Sequence, residues 1–383
     1  MRLLLTADWH LGRIFYGMSL IEDQVHVLDQ LVRMVEERRP DAVLVAGDIY
    51  DRAVTPPEAI ELLDDTLSRI VLGLKTPVVL IAGNHDSPQR IGYGSRILDK
   101  QGLHVSGVLP REINPVVLED EHGLVRIYPV PYADPADVRR VTGDATLKDH
   151  DASTAALLDG ILSRHPVGCR SVLMAHAFLD GGLVSDSERA ITVGGAGSVA
   201  PGRFEGFDLV VLGHLHRPQS ATSRGLYPGS LLKLSFQESD QAKSVSLVEM
   251  DAAGRWTEER IPLVPRRDVR RVEGTMDDLL RDPGSGESRE DYIDAVLLDD
   301  GPILDAMARL QAVYPNALHL EFKVKKASGP SVQALQERRG QDIFNLFTAF
   351  YREVEGAELE EEAADVFKCV VEQLNADERG GAS

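Results

Sequence analysis

Five apolar runs in this chain of 383 residues end in one format, a small residue followed by Asp, Asn or His. They are MRLLLTADWH (1–10), DAVLVAGD (41–48), TPVVLIAGNHD (76–86), RSVLMAHA (170–177) and FDLVVLGHLH (207–216). Their ends deliver Asp8, His10, Asp48, Asn84, His176, His214 and His216, a set of oxygen and imidazole donors without a thiolate. Such donors favour Mn, Fe or Zn over a purely oxygen-liganded Mg site. Seven are too many for one ordinary site but suit two divalent ions about 3.5–4 Å apart that share a carboxylate. Asp48, which follows the central VLVAG run, is the natural bridge. In DWH and HLH the i and i+2 side chains of an extended segment would point the same way, so each pair is expected to converge. Two ions so held hydrolyse phosphate esters by acidifying a bridging water and neutralising the equatorial oxygens. An uncoordinated acid is then wanted at the leaving oxygen. His85, beside Asn84, is placed for it. Asp51 in GDIYDR is expected to orient its ring and raise its pKa, and Asp86 to fix the loop.

Each fragment alone has a plainer reading. GNHD can be an Asx-type turn, and GHLH a strand end with two satisfied imidazoles. Five strand ends delivering ligand types together are not explained that way. No GxGxxG or GxxxxGK[ST] follows any strand, so nucleotide binding by those routes is not expected.

The elements that must position these residues are legible. Runs rich in Val and Leu with little alternation predict strands buried on both faces. Between them, residues 21–40 carry a helical stripe stopped by Pro40, and 56–73 carry another that opens on prolines and closes on glycine. Strand, helix, strand repeated means an α/β sheet layered by helices, whose ligands sit beyond the carboxyl ends of the strands. Near residue 260 the character changes. Residues 261–274 read as a linker or edge strand, 291–300 and 316–326 as strands, 301–315 as a short helix and 281–290 as a loop, together a small α+β domain. The tail predicts two short amphipathic helices, 340–356 and 359–374, with Phe344, Phe347, Phe350 and Phe367 on them. Helices this short need a surface to cover them, and a partner protein is the favoured one. Residues after them are expected to fray.

The net charge of −20 counts against a nucleic-acid partner, although divalent cations can carry positive charge into an acidic site. Arg90, Arg217, Arg266, Arg267, Arg270 and Arg271, in loops or linkers, could line a backbone track, and Arg13 is a further DNA-binding candidate. The first apolar run is too short for a signal peptide, and no stretch approaches the length that spans a bilayer. Cys169 and Cys369 read as buried thiols in a reducing compartment.

The set DWH, GDIYDR, GNHD, AHAF and GHLH resembles the calcineurin-like metallophosphoesterases. LTADWHLGR, AGNHDSPQR and GLYPGSL extend the resemblance to the DNA-repair nuclease branch, over nearly the whole chain. It implies a sandwich of two sheets flanked by helices, with Asp8, His10, Asp48 and His216 on one metal. Asp48, Asn84, His176 and His214 would hold the other, with His85 catalytic. Asp51 stands where some relatives have a histidine. The resemblance further implies Mn-dependent exonuclease and endonuclease action on DNA ends and hairpins, homodimerisation, an SMC-like ATPase partner and a cytoplasmic, nucleoid-associated location. Its domains would be 1–262 (nuclease), 263–330 (capping, over DNA), 331–376 (helices docking on the ATPase coiled coil) and 377–383 (disordered). A phosphodiesterase for small or cyclic nucleotide esters shares the metal chemistry. The negative charge favours it, and the extra domain and tail disfavour it. A non-enzymatic scaffold would have little reason to keep so many buried polar groups.

Overall fold

The computed structural model describes residues 1–188, 197–281, 288–299, 301 and 303–323, and in the C-terminal region 347–348, 351–352, 359 and 363–367. The five runs form strands β1 (Arg2–Thr6), β2 (Ala42–Ala46), β3 (Val78–Ile81), β7 (Arg170–His176) and β8 (Leu209–Gly213). All but the first residue of β1 are buried, as runs without alternation require.

They divide between two sheets. The first has β1, β2, β3 and β4 (Leu103–Ser106) parallel, and continues beyond β1 through the antiparallel β11 (Ser244–Met250) and β12 (Trp256–Pro262). The second is ordered β9 (Gln219–Thr222), β10 (Gly225–Tyr227), β8, β7, β6 (Gly123–Pro129) and β5 (Val116–Asp120). Period-two alternation decides what lies between them. Leu3, Leu5, Leu44 and Ala46 face Val172, Met174, Leu209 and Val211 in one inter-sheet core. The opposite faces, carrying Leu4, Val43 and Val45, pack with α1 (Ile21–Arg38) and α2 (Pro57–Ser68). The outer face of the second sheet is covered by α3 (Pro135–Thr142) and α4 (His150–Leu162). The result is a four-layer sandwich, helix–sheet–sheet–helix.

The segment expected as linker or edge strand is both. The chain leaves β12 at Pro262 and re-enters as the edge strand β13 (Val269–Gly274). The α+β reading of the next region needs correction. β13, β14 (Tyr292–Leu297) and β15 (Ala317–Phe322) are all parallel, with α5 (Met276–Arg281) and α6 (Ala306–Gln311) in the crossovers. Parallel neighbours demand such crossovers, which makes this a βαβαβ layer. Its β14 is buried at every position instead of on alternate ones. This layer is anchored to α1 by the buried Asp23, which accepts hydrogen bonds from Arg267 (2.6 Å) and the Tyr292 hydroxyl (2.9 Å).

Residues 324–383 form a separate compact unit. Within it Phe347 and Phe367 stack, ring centroids 3.9 Å apart. Phe344 and Phe350 lie outside the described residues, as do most of the two expected tail helices, residues 282–287 of the expected 281–290 loop, and Cys369. Cys169 is half-buried, not buried, with its thiol 3.7 Å from the Leu124 carbonyl.

Candidate metal centre

The carboxyl ends of β1, β2, β3, β7 and β8 open at one edge of the sandwich, and the seven candidate ligands meet there. The backbone does not remain extended to present them, as the i, i+2 spacing suggested it would. Asp8, His10, Asp48 and His214 have φ of 52°, 45°, 49° and 104°. Left-handed conformations at non-glycine residues are costly and persist only where surroundings enforce them. Here Asp8 donates its backbone N–H to the Gly47 carbonyl and His10 donates to Asp48, each at 3.0 Å. Convergence comes from sharp turns that fold side chains back over the strand ends.

Glycines make room for this. A Cβ on Gly213 would sit 1.8 Å from the Ala46 carbonyl oxygen and 2.6 Å from Nδ1 of His176, and one on Gly83 would sit 2.1 Å from Oδ1 of Asp48. Larger residues at either place would displace a candidate ligand.

Oδ2 of Asp48 lies 3.7 Å from Nε2 of His10 and 3.5 Å from Nε2 of His176. Nε2 of His10 is also 3.1 Å from Nε2 of His216. On the other side, Oδ1 of Asn84 lies 2.9 Å from Nε2 of His176 and 3.2 Å from Nδ1 of His214. Bonds of about 2.1 Å to a divalent ion imply ligand–ligand edges of about 3.0–3.4 Å in tetrahedral or octahedral geometry. The observed gaps bracket that range. Asp8 joins both halves: its carboxylate groups with His10 and His216, and also with Asp48 and His176.

The hydrogens these residues can carry leave room for cations. Nδ1 of His176 is 2.9 Å from the Ala46 carbonyl, which can only accept, so that nitrogen carries a hydrogen. In the neutral ring Nε2 is then a lone pair, yet it faces two oxygen acceptors. Nε2 of His216 also faces Nε2 of His10, a contact that needs a hydrogen on one of the two nitrogens or a cation between them. A proton or a cation has to separate such atoms, and divalent cations suit an all-buried set of imidazoles and carboxylates. Without them the cluster holds protons instead. Burial opposes the charge on His176, but Asp48 and Asp8 outweigh it and push its pKa up to about 9. Burial pushes Asp8 up to about 7. It pushes His214 down to about 3 and His216 down to about 4, leaving both rings neutral and ready as ligands. Asp48 is driven well below the usual range, because His176 and His10 override its burial.

His85 stands at the rim of this cluster, its ring centroid 4.7 Å from that of His10 and its Nε2 4.0 Å from Oδ2 of Asp48. The expected partnership with Asp51 takes another form. Nδ1 of His85 lies 2.8 Å from the Asp51 backbone carbonyl, while the Asp51 carboxylate accepts from Arg13 (2.9 Å) and approaches Nδ1 of His10 (3.6 Å). A carbonyl orients a ring without adding charge. Accordingly the His85 pKa is lowered, first by burial, where the sequence suggested it would rise. Asp86 has its expected place, accepting from the backbone N–H groups of Ile49 (3.1 Å), Tyr50 (2.9 Å) and Gly83 (2.9 Å).

The arginine track is weaker than expected. Arg13, Arg217, Arg266, Arg267, Arg270 and Arg271 each pair with a carboxylate, and Arg90 donates to the Ala53 carbonyl. Sequence reasoning also missed a polar group behind His216, formed by the half-buried Ser187 and Glu188 and the buried Glu238 and Lys243. The FQESD segment (236–240) shows no periodicity or ligand spacing, and only the fold brings it beneath the strand end.

Comparison with known proteins fits this arrangement. The calcineurin-like phosphoesterase family matches residues 1–218, and the family described as type 5 capsule protein repressor C-terminal domain matches 265–355. The SbcD chain of the nuclease SbcCD from Staphylococcus epidermidis is 31% identical over 369 residues, covering 96% of this chain and 97% of that protein. Solved structures resemble it more distantly. A dimetal phosphatase from Danio rerio has 11% identity and a TM-score of 0.39, covering 69% of this chain and 98% of its own. GAP50, the anchor in the inner membrane complex of Plasmodium, has 11% identity and a TM-score of 0.39, covering 86% and 99%. Among the described residues no helix is long and apolar enough to cross a membrane. The chain belongs to the calcineurin-like phosphoesterases, as a metal-dependent phosphodiesterase of the SbcD nuclease type.

Proposed function

We propose that this chain is a two-metal DNA nuclease that cleaves phosphodiester bonds at duplex ends and hairpins, as exonuclease and endonuclease, in DNA repair. The observation that carries it is the single oxygen, Oδ2 of Asp48, poised between His10 and His176. In this reading Asp8, His10, Asp48 and His216 hold one ion, and Asp48, Asn84, His176 and His214 the other, with Mn2+ the favoured metal. When bound, the pair would acidify a water and neutralise charge on the phosphoryl oxygens. The chain's own residues do the rest. The strand-end turns fix the ligands before substrate arrives, and the Asp51 carbonyl aims the His85 ring at the rim, where its imidazolium form, disfavoured by burial, would be the one able to protonate the leaving oxygen.

The relative's membership of a two-protein nuclease supports an SbcC-type SMC-like ATPase partner. The domains would run 1–262, 263–330, 331–376 and 377–383 as nuclease, cap, docking helices and tail. Phe347 and Phe367 are the described candidates for the docking surface. A homodimer is supported by an apolar groove between α2 and residues 90–98, where Ile60, Leu72 and Tyr93 are exposed. A second copy presenting the same face would bury them, and sedimentation should show a dimer that Tyr93→Glu splits. The location in this reading is the cytoplasm, at the nucleoid.

One observation favours a second reading. The arginines are mostly neutralised by carboxylates, which suits a small or cyclic phosphodiester better than a polyanion. End-labelled duplex and hairpin DNA, a cyclic nucleotide and an aryl phosphodiester should therefore be offered in parallel with Mn2+. DNA cleavage that vanishes in Asp48→Ala supports the nuclease. Turnover of the small esters alone would refute it.

A further inference from the structure

We propose that Glu238 is a positioning residue for the metal centre, acting through Ser187 to fix the ring of His216; this rests on the two-metal reading above. Glu238 is fully buried although it is not among the candidate ligands, and a buried carboxylate without a structural task would be costly.

Its partners define that task. Nδ1 of His216 lies 2.7 Å from Oγ of Ser187 and 3.4 Å from Oε1 of Glu238. The Ser187 hydroxyl in turn contacts Oε1 of Glu238. An ionised carboxylate can only accept, so Ser187 donates to Glu238 and its free lone pair accepts from Nδ1–H of His216. This direction of donation leaves Nε2 of His216 as the bare lone pair, turned toward His10 and free to hold the first ion in the two-metal reading. Lys243 holds Glu238 in place. Its ammonium is 2.6 Å from Oε2 of Glu238 and donates to the His216 carbonyl at 2.8 Å, so one cation ties the carboxylate to the backbone of the ligand it serves. Outer hydrogen bonds of this kind set the tautomer and orientation of ligating imidazoles.

The test compares the full-length wild type with Ser187→Ala and with Glu238→Met/Lys243→Met. The double variant removes the buried pair together, so that no lone charge is left to unfold the chain. Calorimetric titration with Mn2+ alone should find two sites in the wild type. In the double variant one site should weaken by about 10–100-fold while the other holds. Ser187→Ala should weaken the same site. Nitrogen-15 spectra of the metal-free protein give a second readout: His216 should be a pure Nδ1–H tautomer in the wild type and a mixture in the double variant. A folded double variant with two unchanged sites and an unchanged tautomer would overturn the inference. So would equal weakening of both sites. A wild type that binds no Mn2+ would overturn the two-metal reading itself, and this inference with it.

Discussion

Loading the centre with divalent metal should expel protons, and the structure sets how many. As a proposed ligand, His176 must be neutral at Nε2, but in the metal-free fold Asp48 and Asp8 hold its pKa near 9 against the opposing effect of burial. At pH 7 the ring is then about 99% protonated, so binding releases about one proton from it. Asp8, raised to about 7 by burial, adds a fraction of another. From His176 alone, metal affinity should rise about tenfold between pH 7 and 8, then level off above pH 9. The sign for stability is opposite in the metal-free protein. A histidine whose folded pKa exceeds its ordinary value of 6.5 stabilises the fold fully below that value, and the contribution is lost as pH rises through about 9. The Mn2+-induced rise in melting temperature should therefore grow with pH over this window. Titration calorimetry under nitrogen, in two buffers of different ionisation enthalpy, counts the protons. An affinity that stays flat from about pH 7 to 8.5, with no proton release, would refute the reasoning.

Four substitutions probe other features of the molecule. Asp48→Asn should abolish tight binding at both ions together, whereas His214→Ala should weaken one; loss of a single site in Asp48→Asn, seen by Mn2+ titration, would deny the shared carboxylate. Gly213→Ala should destroy activity by pushing His176 off its place, because the new methyl would lie 1.8 Å from the Ala46 oxygen; wild-type turnover would show that the seam can yield. Asp23→Ala leaves the Tyr292 hydroxyl without its acceptor and Arg267 with only Glu22 at the anchor of the βαβαβ layer, and denaturant unfolding should show a loss of about 3 kcal/mol.

What could be read from the sequence depended on whether the signal was local. The strands β1, β2, β3, β7 and β8 carry their burial in their own composition, so their places, and the polar residues at their ends, needed no tertiary information. The edge strand β5 alternates half-buried and exposed residues and has no motif, so nothing in its own sequence sets it apart. Asp51 shows the limit for side chains. Its position beside His85 was legible, but whether its carboxylate or its carbonyl would meet the ring depends on Arg13 and His10, which arrive from a different strand end. Glu238 lies further beyond local reading, because it reaches His216 only after β11 has brought Lys243 beneath the same turn.

The acidic balance of the chain has a physical counterpart in these pairings. Since most of the candidate arginines are paired within the fold, they cannot supply the attraction that a phosphate backbone needs. Under the proposed reading two divalent ions bring four positive charges to the two carboxylates of Asp8 and Asp48, and the site becomes cationic only once loaded. Substrate attraction and chemistry would then share one source, and a chain with a net charge of −20 would act on a polyanion by virtue of its metals, not its surface.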